Sequence, residues 1–117
     1  MSAAKVPLNI DQGSDFSIKV TWRTGEPPTP VDLTGCTAEA QIREYLESPD
    51  TLIELTTSNG GITLGGTAGT VEINIAHGLT ESVEWFSGVY DLEVTFTNGA
   101  KKRLLAGPVI LSPEITR

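Results

Sequence analysis

The stretch Val89–Ala106, VYDLEVTFTNGAKKRLLA, decides how this chain is read. Tyr90, Leu92, Val94 and Phe96 fall on one face while Asp91, Glu93, Thr95 and Thr97 fall on the other. That is the period-two pattern of a β-strand with one face buried. Asn98-Gly99 then supplies two residue types that tolerate positive φ in a tight turn, and a second arm returns through Lys101-Lys102-Arg103 to Leu104-Leu105-Ala106. The whole stretch spells a β-hairpin.

Working outward, the same alternation recurs. Phe16, Ile18, Val20 and Trp22 alternate with Ser17, Lys19 and Thr21; Cys36, Ala38, Ala40 and Ile42 alternate with Thr37, Glu39, Gln41 and Arg43. Ile53 and Leu55, Ile62 and Leu64, and Val71, Ile73 and Ile75 mark further short strands, separated by turn signals such as Ser58-Asn59-Gly60-Gly61 and Gly65-Gly66-Thr67-Ala68-Gly69. The loop Thr24–Pro30 contains three prolines and cannot pair in a ladder. Leu79–Phe86 is the one candidate helix, with Thr80 as its cap, Glu81 and Glu84 in its first turn, and Leu79, Val83 and Phe86 on one face. About eight short strands at close spacing predict an all-β fold, an antiparallel two-sheet β-sandwich of immunoglobulin-like architecture with one short connecting helix near 79–86. A small closed barrel is the alternative that the same spacing permits. The expected core includes Trp22, Ile42, Ile73, Leu92 and Val94, with Cys36 as a small buried group and Trp85 at least partly exposed.

A chain of 117 residues fits one domain, and folding at this length buries roughly two thirds of the unfolded surface. Residues 1–10 read as an extended N-terminal arm suited to an edge strand, since Pro7 lacks an N–H and holds Val6 extended; residues 11–117 read as a single β domain. Val6, Leu8 and Ile10 on the arm, Ile115 in the extended C-terminal Pro113-Glu114-Ile115-Thr116, and Trp85 are the candidate interface residues, because either end could complete a sheet edge of a second copy or a neighbour.

Composition speaks against several function classes. Fifteen acidic against eight basic residues give a formal charge of −7, with only Lys101-Lys102-Arg103 clustered. No phosphate-tracking surface is expected, hence no nucleic-acid partner. The triplet reads instead as a solvated strand edge. No apolar run approaches a membrane span and the first residues lack a signal-peptide core, so a cytoplasmic origin is expected. The single Cys36 and single His77 stand far apart, so neither a disulfide, a thiolate metal site nor a Cys/His nucleophile is expected. Gly61–Gly69 lacks the Lys-Ser/Thr of a phosphate loop. Glu39, Glu54, Glu72 and Glu93 each alternate with core residues and should face solvent, leaving no carboxylate pair nominated for glycoside hydrolysis. No cofactor, metal or catalytic residue is assigned.

A resemblance spans nearly the whole chain. The succession Ile10-Asp11-Gln12-Gly13-Ser14-Asp15-Phe16, Val31-Asp32-Leu33-Thr34-Gly35-Cys36-Thr37-Ala38-Glu39-Ala40-Gln41-Ile42-Arg43, Leu55-Thr56-Thr57-Ser58-Asn59-Gly60-Gly61-Ile62, Gly88-Val89-Tyr90-Asp91-Leu92-Glu93 and Leu104-Leu105-Ala106-Gly107-Pro108-Val109 resembles small virion proteins of tailed bacteriophages and prophages. Its element order is similar to the N-terminal β domain of phage baseplate upper proteins, which attach receptor-binding parts to the tail. Cys36, where an aromatic residue is common, and Glu84-Trp85-Phe86, in place of a plainer Ala-rich segment, depart from that pattern. The resemblance implies a non-enzymatic structural protein of the virion, a tail or baseplate component made in the host bacterial cytoplasm, with other virion structural proteins as partners. Capsid decoration and a stand-alone carbohydrate-binding β-sandwich are the alternatives.

Overall fold

A computed structural model describes residues 4–115. The fold is all-β, and no α-helix occurs among the described residues. Its strands are β1 (Ala4–Lys5), β2 (Leu8–Asp11), β3 (Phe16–Thr21), β4 (Arg23–Thr24), β5 (Thr29–Pro30), β6 (Thr37–Arg43), β7 (Ile53–Thr56), β8 (Ile62–Leu64), β9 (Thr70–Ile75), β10 (Ser87–Thr95) and β11 (Lys101–Ser112). A six-stranded sheet runs in the order β1-β11-β10-β6-β7, with β2 also on β11; a three-stranded sheet runs β3-β9-β8; β4 and β5 form a small hairpin of their own.

The diagnostic hairpin forms, with a turn one residue longer than its sequence suggests. Gly99 N–H donates to the Phe96 carbonyl at 2.9 Å and Phe96 N–H to the Ala100 carbonyl at 2.8 Å, so Thr97, Asn98 and Gly99 make a three-residue loop. Within that loop only Gly99 has positive φ, at 89°. Asn98 contributes through its side chain instead, Oδ1 accepting from Ala100 N–H at 2.9 Å. Further along, Leu92 faces Leu105 while Glu93 faces Arg103, which leaves Leu104 as the extra residue of a β-bulge. The bulge is how Leu104 and Leu105 stand side by side without turning the alternation of the rest of β11 inside out.

Inward residues of both main sheets meet in one buried cluster: Leu8, Ile10, Ala38, Ala40, Ile42, Leu55, Leu92, Val94 and Val109 from the large sheet, Ile62, Val71, Ile73 and Ile75 from the small one. β8 lies against β6, and β9 against β7. Ile42, Ile73, Leu92 and Val94 are buried as expected. Trp22 is only half-buried, because it sits where β3 runs into the exposed β4–β5 hairpin; it packs on Phe96 with ring centroids 5.8 Å apart. Cys36 is likewise half-buried.

Three expectations require correction. The pairing is not wholly antiparallel: β1 and β2 both join β11 in parallel, in the same register. They read as one strand broken at Val6-Pro7, where Pro7 has no N–H to give. The N-terminal segment is extended and takes an edge-strand place as expected, but that edge is on the chain's own large sheet, so it is part of the domain and not an arm beside it; Met1–Ala3 lie outside the described residues. The helix over Leu79–Phe86 does not form. A single 3-10 turn, His77–Leu79, takes its place, followed by irregular chain. Thr80 is not capping a helix, because its Oγ1 accepts from Gly13 N–H at 2.9 Å. Gln12 Nε2 donates to the carbonyls of Glu81 and Val83 at 3.4 Å each, and the Glu81 carbonyl is one that an eight-residue helix would use. A helix so short is marginal alone, and β-branched and aromatic residues weaken it further.

Candidate interaction surfaces

The candidate interface residues separate into three groups. Leu8 and Ile10 alternate with Asn9 and Asp11 along β2, and their inward period puts them in the core at 0% and 1% exposure. They are covered by their own chain and present nothing to a neighbour. Val6 is half-buried, its N–H given to Ala106 at 2.9 Å and its carbonyl held by the Tyr90 hydroxyl at 2.6 Å. Burial of that ring pushes the Tyr90 phenol up to about 12. Trp85 is half-buried against the core. Ile115 is 91% exposed and is the last described residue; Thr116 lies outside them.

The C-terminal segment is tied down just before Ile115. Glu114 N–H donates to Gln12 Oε1 at 2.9 Å, so one glutamine amide holds the C-terminal segment with its oxygen and the 81–83 loop with its nitrogen. Gly13 belongs to the same junction. Its φ is +80°, and a Cβ there would collide with the Glu114 carboxylate. Thr80 completes it, fully buried with its hydroxyl on Gly13 N–H.

The outer face of the large sheet is built by the residues that alternate with the core. Register sets Thr56, Glu39, Glu93 and Arg103 in one row across β7, β6, β10 and β11, and Glu54, Gln41, Asp91 and Ala106 in the next. Arg43, Val89 and Pro108 form a third row, and Ser87, Ile110 and Asn9 a fourth. Glu39 and Glu93 stand directly opposite each other, a like-charge pair that costs stability. Arg103 Nε approaches Asp91 Oδ2 at 3.3 Å, and Arg43 donates to the Ser48 carbonyl at 2.9 Å and to Gln41 Oε1 at 2.8 Å. Over this face opens a groove of about 310 Å³ lined by Gln41, Arg43, Leu46, Val89, Asp91 and Arg103 among others. Leu46 in its lining is 83% exposed, and Tyr45 at 54% and Ile110 at 46% are further exposed apolar groups. The sheet thus presents a face that is acidic in its middle and apolar toward Val89, Pro108 and Ile110.

Reading the chain alone missed this face, because register decides which outward residues share a row. Glu39 and Glu93 were each visible as outward, whereas their pairing depends on where β6 meets β10. Lys101, Lys102 and Arg103 are all exposed at the end of β11 beyond its pairing with β1. Cys36 and His77 are not brought together: Cys36 N–H bonds the Leu33 carbonyl, and His77 is engaged by Asp15. Asp15 Oδ1 accepts from His77 N–H at 2.8 Å and lies 2.9 Å from Nδ1. These bonds hold Asp15 below the usual carboxylate range, and Asp15 holds His77 above the usual imidazole range. Among the described residues, no three His, Cys, Asp or Glu side chains gather as a metal ion requires. No helix there is long and apolar enough to cross a membrane. No protein-family model matches the chain, and no curated protein matches it.

Proposed function

We propose that this protein is a non-enzymatic structural module of a tailed bacteriophage particle, a tail or baseplate component that binds other virion proteins. Support comes from the resemblance along the chain and from one structural observation in particular: the solvent-facing side of the six-stranded sheet carries Val89, Ile110 and Leu46 beside the Arg43–Asp91–Arg103 groove. Exposed apolar groups rimmed by charge are the usual make-up of a protein contact. The finer architecture in this reading is an immunoglobulin-like two-sheet sandwich, which the packing of β8 and β9 against β6 and β7 favours.

The test is localisation. Tagged protein expressed during phage production should co-sediment with purified particles and appear at the tail by immunogold labelling. Label on the head would move the assignment to capsid decoration, and absence from particles would end it. A Leu46→Asp/Ile110→Asp double variant should fold with an unchanged melting temperature and fail to incorporate. The groove, which sets Gln41, Arg43, Asp91 and Arg103 among apolar groups, also fits a carbohydrate-binding reading; specific retention on a glycan array by the wild type and not by Arg43→Ala would favour it.

A further inference from the structure

The small sheet ends in an edge unlike the others. Among the described residues, β3 pairs only with β9. Trp22 N–H donates to the Gly69 carbonyl at 2.8 Å, which fixes the phase of the ladder: Phe16, Ile18 and Val20 exchange backbone bonds with Ile75, Ile73 and Val71. The N–H and C=O groups of Ser17, Lys19 and Thr21 therefore point away from β9, along six residues with no described strand beside them. Such an edge is a template for strand addition.

Burial marks the same edge independently. Inward residues of the other edge strands are mostly closed off, with Leu8 at 0%, Ile10 at 1%, Ile53 at 5%, Leu55 at 2% and Ile62 at 2% exposure, and only Leu64 at the end of β8 half-buried. Along β3 the pattern is different: Phe16, Ile18 and Val20 are all only half-buried. The strand has its apolar face toward the core and lacks a neighbour to finish covering it.

We infer that β3 accepts an extended strand from a different protein, an antiparallel segment of alternating apolar and polar residues with an acidic side chain opposite Lys19. A second copy is a poor occupant. The two-fold pairings of β3 with itself that keep the outward-pointing groups bonded and match five residues centre on Ile18 or on Lys19, which sets Ser17 or a second Lys19 opposite Lys19; neither supplies an acidic partner, and two lysines directly opposite disfavour the pair. Charge selects an acidic residue, as β9 already shows on the other side, where Glu72 lies opposite Lys19. The incoming apolar residues would cover Phe16, Ile18 and Val20 from the open side, and main-chain bonds would run to Ser17, Lys19 and Thr21. This inference stands apart from the virion reading, because it is decided by purified protein and a peptide without any particle.

The probe is a synthetic peptide of residues 69–76, GTVEINIA, titrated into the isotopically labelled full chain and followed by amide chemical shifts. Saturable shifts confined to Phe16–Trp22 are expected, with new exchange protection at Ser17, Lys19 and Thr21. Replacing the peptide's Glu with Lys should weaken binding by about fivefold or more. Lys19→Glu in the protein should invert that preference while leaving the melting temperature within a few degrees. A peptide N-methylated at its Glu, which cannot give the central main-chain bond, should bind no better than a scrambled one. Absence of shifts at β3 up to the solubility limit would overturn the inference, as would affinity indifferent to N-methylation. Protection of Ser17, Lys19 and Thr21 that rises with protein concentration alone would replace the foreign strand with a second copy.

Discussion

β2 and β3 are short strands with the same written pattern, apolar residues at every second position, and each pairs along one side only. Leu8 and Ile10 of β2 vanish into the core, whereas Phe16, Ile18 and Val20 of β3 stay half-covered. The difference lies in what surrounds them. β2 runs beside β11 in the large sheet, over which β8 and β9 lie, while β3 is the outer margin of a three-stranded sheet. Alternation therefore tells which side of a strand is apolar, and the tertiary neighbours decide how completely that side leaves water.

The largest effect should come from deleting residues 1–10. This removes two fully buried side chains worth ~2–5 kcal/mol each, a loss comparable to a whole domain's ~5–15 kcal/mol, so the shortened chain should show no cooperative unfolding transition. Single substitutions make the contrast sharper. Ile10→Ala should cost ~2–5 kcal/mol by denaturant midpoint and Ile18→Ala about half as much; equal losses would mean that β3 is covered as well as β2.

Next comes the junction that replaced the expected helix. Thr80→Val keeps the shape and removes the acceptor of Gly13 N–H, costing ~1–3 kcal/mol. A neutral result would show that the Gly13 amide finds water. Tyr90→Phe, which releases the Val6 carbonyl, should cost ~0.5–1.5 kcal/mol and raise amide exchange selectively at Val6 and its neighbours in β1 and β2.

The smallest effect belongs to Asp15 and His77, both exposed. His77 is raised above its ordinary 6.5, so its contribution is complete below pH 6.5 and fades as pH climbs through the raised folded value. Asp15 is lowered from 3.8, so its contribution is complete above pH 3.8 and fades as pH falls through the lowered folded value. The pair should add a shallow maximum in melting temperature between those limits. Asp15→Asn, which keeps an oxygen for His77 N–H, should flatten it.

Much of the fold was legible in the residues. The strands around Ala38–Ile42, Ile53–Leu55, Val71–Ile75 and Tyr90–Val94 announced both their positions and their inward faces, because period two survives wherever one face is buried. The segment Leu79–Phe86 was misread for a physical reason: its carbonyls are claimed by Gln12, some seventy residues earlier, and no local pattern reports so distant a donor. The outer face of the large sheet was illegible for a similar reason. Glu39 meets Glu93, and Val89 meets Pro108, only once three strands have chosen their register.

The parallel entry of the chain beside its own last strand bears on how the domain would carry a load. β1 and β2 run alongside β11 in the same direction, so the chain enters beside one end of that strand and leaves at the other. Tension applied between residues 4 and 115 would pull these strands past each other lengthwise. The bonds along Ala4–Lys5 and Leu8–Asp11 would resist together, in shear, where a terminal antiparallel hairpin pulled at its open end would release its bonds singly and in sequence. In a pulling experiment with handles at those residues, the domain should yield at a markedly higher force than with handles at 87 and 112, which open the β10–β11 pair like a zip.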